Sequence, residues 1–111
     1  MTTQEVAQMI ASIGLPNAYD HFEKNETPGH PPFIFFTYPD SDHFAADNGV
    51  YQKIMALRIE LYTDEKDLTL EHTVEDVLDA NGLFYTSAET YIDSEKMYMV
   101  AWETEVLLTT D

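Results

Sequence analysis

The side chains most able to do chemistry in this chain are its histidines and its carboxylates. None of the four histidines stands in an HxH, HExxH or HxxEH arrangement, so the spacing typical of a metal site is absent. Asp40, Asp42, His43 and Asp47 lie close together in the sequence and could hold a cation through oxygen ligands. Because this segment lacks the glycine and the terminal glutamate of an EF-hand loop, we interpret it as a solvated acidic turn.

The sequence does not indicate a catalytic nucleophile either. No serine lies in a GxSxG or SxxK motif, no glycine-rich phosphate loop is present, and the chain contains no cysteine. With 21 acidic residues the chain contains so many carboxylate pairs that none is singled out as catalytic. We therefore predict no catalytic residue, no metal ligand and no cofactor. A hydrolase whose residues come from distant positions stays open as an alternative.

The charge balance excludes two classes of partner. Five basic residues stand against 21 acidic ones, which gives a formal net charge of −16. Specific binding to DNA or to an anionic membrane needs basic patches that this composition does not supply. No stretch reaches 18 apolar residues, and the first residues lack the pattern of a signal peptide. The length of 111 residues predicts a single domain over 1–111.

Two segments carry apolar residues at helical spacing, which predicts helices near 3–13 and 69–81. Thr2 or Thr3 can cap the first helix, and Asn81-Gly82 is a stop signal for the second. The two apolar stripes consist of Val6, Met9, Ile10 and Ile13 and of Leu70, Val74, Val77 and Leu78. Each stripe is expected to pack on a sheet.

Alternating apolar and polar residues predict the strands. The predicted strands cover residues 17–22, 33–38, 50–63, 83–92 and 97–108. Alternation over the lengths of 50–63 and 97–108 favours antiparallel strands with one solvated face. We therefore predict an α+β fold in which two helices pack on one face of a mainly antiparallel sheet, in the order α-β-β-β-α-β-β.

The same sequence pattern predicts the loops between the elements and the residues of the core. The proline-rich loop Glu23–Pro32 is predicted to be exposed, and residues 40–42 are predicted to form a turn. The residues expected in the core are Met9, Ile10, Leu57, Ile59, Val74, Leu78, Val100 and Trp102.

Candidate contact residues lie on the polar side of these elements. Tyr62 and Ile54 occupy the polar parity of their strand, which suits a subunit contact because tyrosine is enriched at interfaces. Arg58 lies beside Glu60 in the middle of its strand and is expected to bridge to an acid on a neighbouring strand. The candidate interface or lumen residues are Tyr62, Ile54, Arg58, Glu71, Glu75 and Asp79. The last three lie on the acidic face of the second helix.

The succession of segments resembles a known family. The segments that carry the resemblance are 13–19, 21–22, 32–36, 38–39, 42–47, 50–51, 58–67 and 91–98, which read IGLPNAY, HF, PFIFF, YP, DHFAAD, VY, RIELYTDEKD and YIDSEKMY. This chain resembles the tail terminator, or tail-to-head joining and tail completion, proteins of siphophages and prophages of Gram-positive bacteria. That family implies no catalytic residues.

The resemblance implies a structural role in virion assembly. Such proteins form a ring, usually a hexamer, that ends polymerisation of the tail tube and offers a docking surface to the head. The implied partners are further copies of the chain, the major tail protein and the head completion or connector protein. DNA would pass through the ring without specific binding. The implied location is the virion tail, after assembly in the host cytoplasm.

An alternative function comes from the charge alone. An acidic inhibitor or DNA mimic would use carboxylates spaced like phosphates to bind a basic partner. Such a protein is expected as a monomer or dimer on its target, whereas a terminator is expected to form a concentration-dependent ring.

Overall fold

The computed structural model describes residues 1–19, 30–39, 41–42 and 52–109. Its elements are α1 (Thr3–Ala11), β1 (Asn17–Tyr19), β2 (Phe33–Thr37), β3 (Ser41–Asp42), β4 (Gln52–Thr63), α2 (Leu68–Ala80), β5 (Tyr85–Ile92) and β6 (Met97–Thr109). The predicted order of helices and strands is confirmed, with β3 as a two-residue addition. The prediction of a turn at 40–42 is wrong for Ser41 and Asp42, because their backbones pair with Met55 and Ile54 of β4.

Two predictions concern segments that lie largely outside the described residues. Only residues 30–32 of the predicted loop Glu23–Pro32 are described. Of the acidic turn, Asp40, His43 and Asp47 are outside, and only the backbone of Asp42 is described. The interpretation of this segment as a solvated acidic turn, rather than a cation site, therefore stays a prediction.

Hydrogen bonds from side chains and backbone groups define both ends of α1. Thr2 is the N-cap: its hydroxyl accepts a hydrogen bond from the Glu5 amide, and the Glu5 carboxylate accepts one from the Thr2 amide. This reciprocal capping satisfies two amides that an open helix end would leave unpaired. The predicted end at residue 13 is two residues too long, since Ile13 already bonds three residues back to Ile10 and Gly14 has a φ of 89°.

The end of α2 shows why glycine is needed at position 82. The Leu83 amide donates to the Leu78 carbonyl and the Gly82 amide donates to the Asp79 carbonyl. This Schellman arrangement requires a left-handed residue, and Gly82 supplies it with a φ of 71°. The turn also corrects the predicted start of the next strand, because Leu83 and Phe84 belong to it and β5 begins at Tyr85.

The sheet has the strand order β1-β2-β4-β6-β5, with β3 pairing beside β4. Among the described strands, β1 and β2 are the only parallel pair, so the sheet is mainly antiparallel as predicted. The two long strands β4 and β6 pair from Gln52 opposite Thr109 to Thr63 opposite Tyr98. They form the centre of the sheet and carry the predicted alternation.

Both helices cover the same face of this sheet. Val6, Met9 and Ile10 of α1 share one core cluster with Val74 and Leu78 of α2. All eight residues predicted in the core are buried, and Leu57, Ile59 and Trp102 are completely inaccessible. No helix in the described ranges is long and apolar enough to cross a membrane.

Candidate interface surfaces

The six candidate residues fall into two groups on opposite sides of the sheet. Ile54, Arg58 and Tyr62 lie on the face of β4 that points away from the helices, because Leu57, Ile59 and Leu61 turn the other parity into the core. Glu71, Glu75 and Asp79 follow one another at four-residue spacing on α2. The fold therefore does not bring the six residues into one site.

The first group centres on Arg58. Its Nε lies 2.7 Å from Oε2 of Glu60, two residues along the strand, and its Nη1 lies 2.5 Å from Oε1 of Glu103 on β6. Glu103 is the direct cross-strand partner of Arg58. The predicted pairing of Arg58 with an acid on a neighbouring strand is confirmed by Glu103, and the contact with Glu60 adds a second partner on the same strand. Because Arg58 and Glu60 are only partly exposed, this contact is less screened by water than a fully exposed ion pair.

Tyr62 extends this network to aromatic residues. Its hydroxyl donates a 2.8 Å hydrogen bond to Oε1 of Glu60. Its ring stacks on Phe33 with a centroid distance of 5.2 Å and meets the edge of Phe35 at 5.6 Å. Partial burial raises the pKa of Tyr62 above its usual range, and the hydrogen bond to Glu60 raises the pKa further. The group is a polar and aromatic surface in which one cation, Arg58, contacts the two carboxylates of Glu60 and Glu103.

Ile54 lies at the far end of the same face. It is half-buried and stands opposite Leu107 of β6, whose side chain is 46% exposed. This end of the face is apolar, whereas the end near Tyr62 is polar and aromatic. The two ends of this face therefore differ in the contacts that they can make.

The raised pKa of Tyr62 predicts a loss of stability at alkaline pH. In the unfolded chain a tyrosine loses its proton near pH 10, whereas the folded protein holds the proton on Tyr62 to higher pH. Above pH 10 the unfolded state thus binds fewer protons, so the free energy of unfolding falls as pH rises. We expect Tyr62→Phe to make this fall less steep between about pH 9.5 and 11.

Urea unfolding at a series of pH values measures this effect. Tyr91→Phe is the matched control because it removes a phenol that is 48% exposed. Burial also raises the pKa of Tyr38, so some alkaline loss is expected to persist in Tyr62→Phe. Identical slopes for Tyr62→Phe and the wild type would contradict the prediction.

The second group, on α2, is engaged with residues of the same chain. Glu71 accepts a 2.6 Å contact from Lys66, which also pairs with Glu89 of β5. Glu75 accepts a 3.0 Å hydrogen bond from the indole nitrogen of Trp102. These two carboxylates therefore face the sheet.

Asp79 completes the row beside the start of β5. Partial burial raises the pKa of Tyr85, and the nearby carboxylates of Glu75 and Asp79 raise it further. The row of Glu71, Glu75 and Asp79 thus runs along the sheet near β5, and the exposed acids of this region include Asp64, Glu65 and Asp76.

One exposed feature was not anticipated from the sequence. Phe84 is 93% exposed, and the Thr104 hydroxyl donates a hydrogen bond to its carbonyl oxygen. An open groove of about 440 Å³ lies beside it, lined by residues 82–86, 103–105 and Ala56. The sequence placed Phe84 inside a strand, where its exposure could not be judged.

The described part of the chain contains no group of three or more histidine or acidic residues arranged to hold a metal ion. Among the side chains that the structure describes, the charged ones outside the two groups, such as Lys96 in the turn between β5 and β6, are exposed.

Two helices on one face of a mainly antiparallel sheet define an α+β protein, and this architecture has a counterpart among solved structures. A chain of the "Virion of native gene transfer agent (GTA) particle" matches with a TM-score of 0.65. The match covers 98% of this chain and 96% of that chain at 15% sequence identity. The two chains therefore share a fold. No family model and no curated protein matches this chain.

Proposed function

We propose that this protein is a structural component of a phage or prophage virion, specifically a tail terminator that forms a hexameric ring at the end of the tail tube. The observation that carries the proposal is the fold shared with a chain of a gene transfer agent virion over nearly the full length of both chains. The segment pattern of the sequence independently resembles the tail terminator family.

The chemistry of the surfaces supports a role in assembly. Arg58 pairs with Glu60 and Glu103, and Tyr62 donates to Glu60, so the polar groups of this face already have partners within the chain when another protein meets it. A non-enzymatic role is part of the proposal. The proposed partners are other copies of the chain, the major tail protein and the head connector, within the virion tail.

The net charge suits a ring through which DNA passes. Each subunit carries a net charge of −16, so the ring as a whole would repel the phosphate backbone and a duplex would slide without binding. Within this proposal, the exposed acids Asp64, Glu65 and Asp76 are better placed to line the opening of the ring than Glu71 and Glu75. The carboxylates of Glu71 and Glu75 already bind other residues of the same chain.

Deleting the gene from the phage or prophage that encodes it tests the proposal. We expect tail tubes that are longer than normal and carry no heads, because no ring then ends the tube or receives the connector. Electron microscopy of lysates measures tube length and head attachment. Supplying the wild-type gene from a plasmid is the control and should restore normal tails.

Tails of normal length joined to heads in the deletion strain would overturn the proposed role. The alternative of a DNA mimic predicts a different result in solution. A mimic would elute as a monomer or dimer bound tightly to a basic protein, and light scattering would detect no ring. The internal contacts of Glu71 and Glu75 weigh against this alternative, because bound carboxylates are less available to imitate phosphates.

A further inference from the structure

The strand β5 forms one edge of the sheet. It pairs with β6 on its inner side, and no described strand pairs with its outer side. Residues 86–91 are exposed. An edge of this kind presents unpaired backbone N–H and C=O groups, which are a template for another strand.

This edge lacks the features that usually prevent strand addition. Short length, proline, lysine and bulges are the common protections of an edge. The sequence of β5, YTSAETYI, contains no proline and no basic residue. Its register with β6 is unbroken from Tyr85 opposite Thr104 to Ile92 opposite Met97, so there is no bulge.

The opposite edge of the described sheet is different. There β1 comprises three residues, Asn17–Tyr19, and a short edge strand offers little backbone to a partner. The eight residues of β5 are therefore the longer open edge among the described strands.

The charge of β5 indicates which partner fits it. Its one charged residue is Glu89, and Lys66 pairs with that carboxylate. In a chain of net charge −16, a second copy therefore meets less like-charge repulsion along this strand than at the exposed acids before and along α2. A basic partner would be drawn instead to the exposed acids before and along α2.

Aromatic residues at one end of β5 offer an anchor for such a contact. Tyr91 is 48% exposed and meets Tyr98 edge to face at a centroid distance of 4.9 Å. Exposed tyrosines of this kind are enriched at protein interfaces. The contact with Tyr98 holds the Tyr91 ring in one orientation and lowers the entropy cost of ordering it on binding.

We propose that the outer edge of β5 is a subunit interface at which a second copy of this chain adds a strand, so that the sheet continues from one subunit to the next. Backbone hydrogen bonds supply the affinity in this mode of association. In a closed ring each subunit contacts its two neighbours through two different surfaces, which is a head-to-tail arrangement. That arrangement rests on the proposed function. Strand addition at β5 itself does not depend on it.

The double variant Thr86→Lys/Thr90→Lys tests the interface, because lysines on an edge strand oppose strand addition. Ala7→Lys/Ala80→Lys is the matched control, since it adds the same charge at exposed positions on the two helices. Sedimentation velocity over a range of protein concentrations measures association. We expect the β5 variant to associate at least ~10-fold more weakly than the control. Circular dichroism should show that both variants are folded.

Hydrogen exchange gives a second readout on the wild type. Since edge backbone groups alternate in direction, about half of the β5 amides point outward and should exchange slowly only in the assembled fraction. Equal association of the two variants, or a wild type that stays monomeric, would overturn the interface. Assembly in which the β5 amides still exchange quickly would also overturn the β5 interface, but it would not contradict the proposed ring. A dimer paired through β5 that never grows larger supports the interface and counts against the ring.

Discussion

Replacing Trp102 with alanine is expected to lower the free energy of unfolding by about 3–5 kcal/mol. Trp102 is the single tryptophan and is completely buried in the core cluster beneath the two helices. It stands on β6 between Ile59 of β4 and Ser87 of β5, so its removal leaves a cavity in the centre of the sheet. Urea unfolding followed by circular dichroism measures the loss.

Two further variants separate packing from hydrogen bonding. Trp102→Phe keeps an aromatic ring but loses the indole N–H that Glu75 accepts, and an intermediate loss is expected. Glu75→Gln keeps an acceptor and should cost less than about 1.5 kcal/mol. A loss below ~1 kcal/mol for Trp102→Ala would show that the site collapses around the cavity and would contradict the burial described here.

Self-association is expected to strengthen as salt is added. At a net charge of −16, bringing copies together opposes like charges, and salt screens this repulsion. The Debye length falls from about 10 Å at 0.1 M to shorter distances at about 0.5 M salt. We therefore expect a larger sedimenting species at the higher salt concentration.

The internal ion pairs strengthen this expectation. Arg58 is held by Glu60 and Glu103, and Lys66 by Glu71 and Glu89, so these cations are not free to bridge subunits. The variant Asp64→Asn/Glu65→Gln removes two exposed charges and is expected to assemble at lower salt than the wild type. Since salt also strengthens apolar contacts, this variant separates screening from that effect. Assembly that dissolves as salt rises would indicate that ion pairs hold the subunits together.

The long strands could be predicted from the sequence because their side chains alternate with a period of two. Leu57, Ile59 and Leu61 of β4 are all buried, and the intervening Arg58 and Glu60 lie on the opposite face. The pairing of Arg58 could also be predicted, because residues two apart on a strand share a face and a cross-strand partner lies within reach.

The surroundings of α2 could not be predicted in the same way. The acidic stripe of Glu71 and Glu75 suggests a solvated ridge, but the sequence does not reveal which way the helix is turned over the sheet. Only the tertiary arrangement brings Trp102, 27 positions away, to Glu75. The exposure of Phe84 was not predicted for a local reason. The left-handed turn at Gly82 makes β5 begin at Tyr85, two residues later than the predicted start at Leu83.

The central position of β6 has a consequence for how the chain folds. Its neighbours β4 and β5 are both made earlier, and β4 can pair with β6 only after α2 and β5 have been synthesised. Most sheet contacts therefore join residues far apart in sequence, which gives a high contact order and slow folding. While β6 is still emerging from the ribosome, the edge of β4 that later pairs with β6 is unpaired, and the nascent chain is most open to aggregation during that interval.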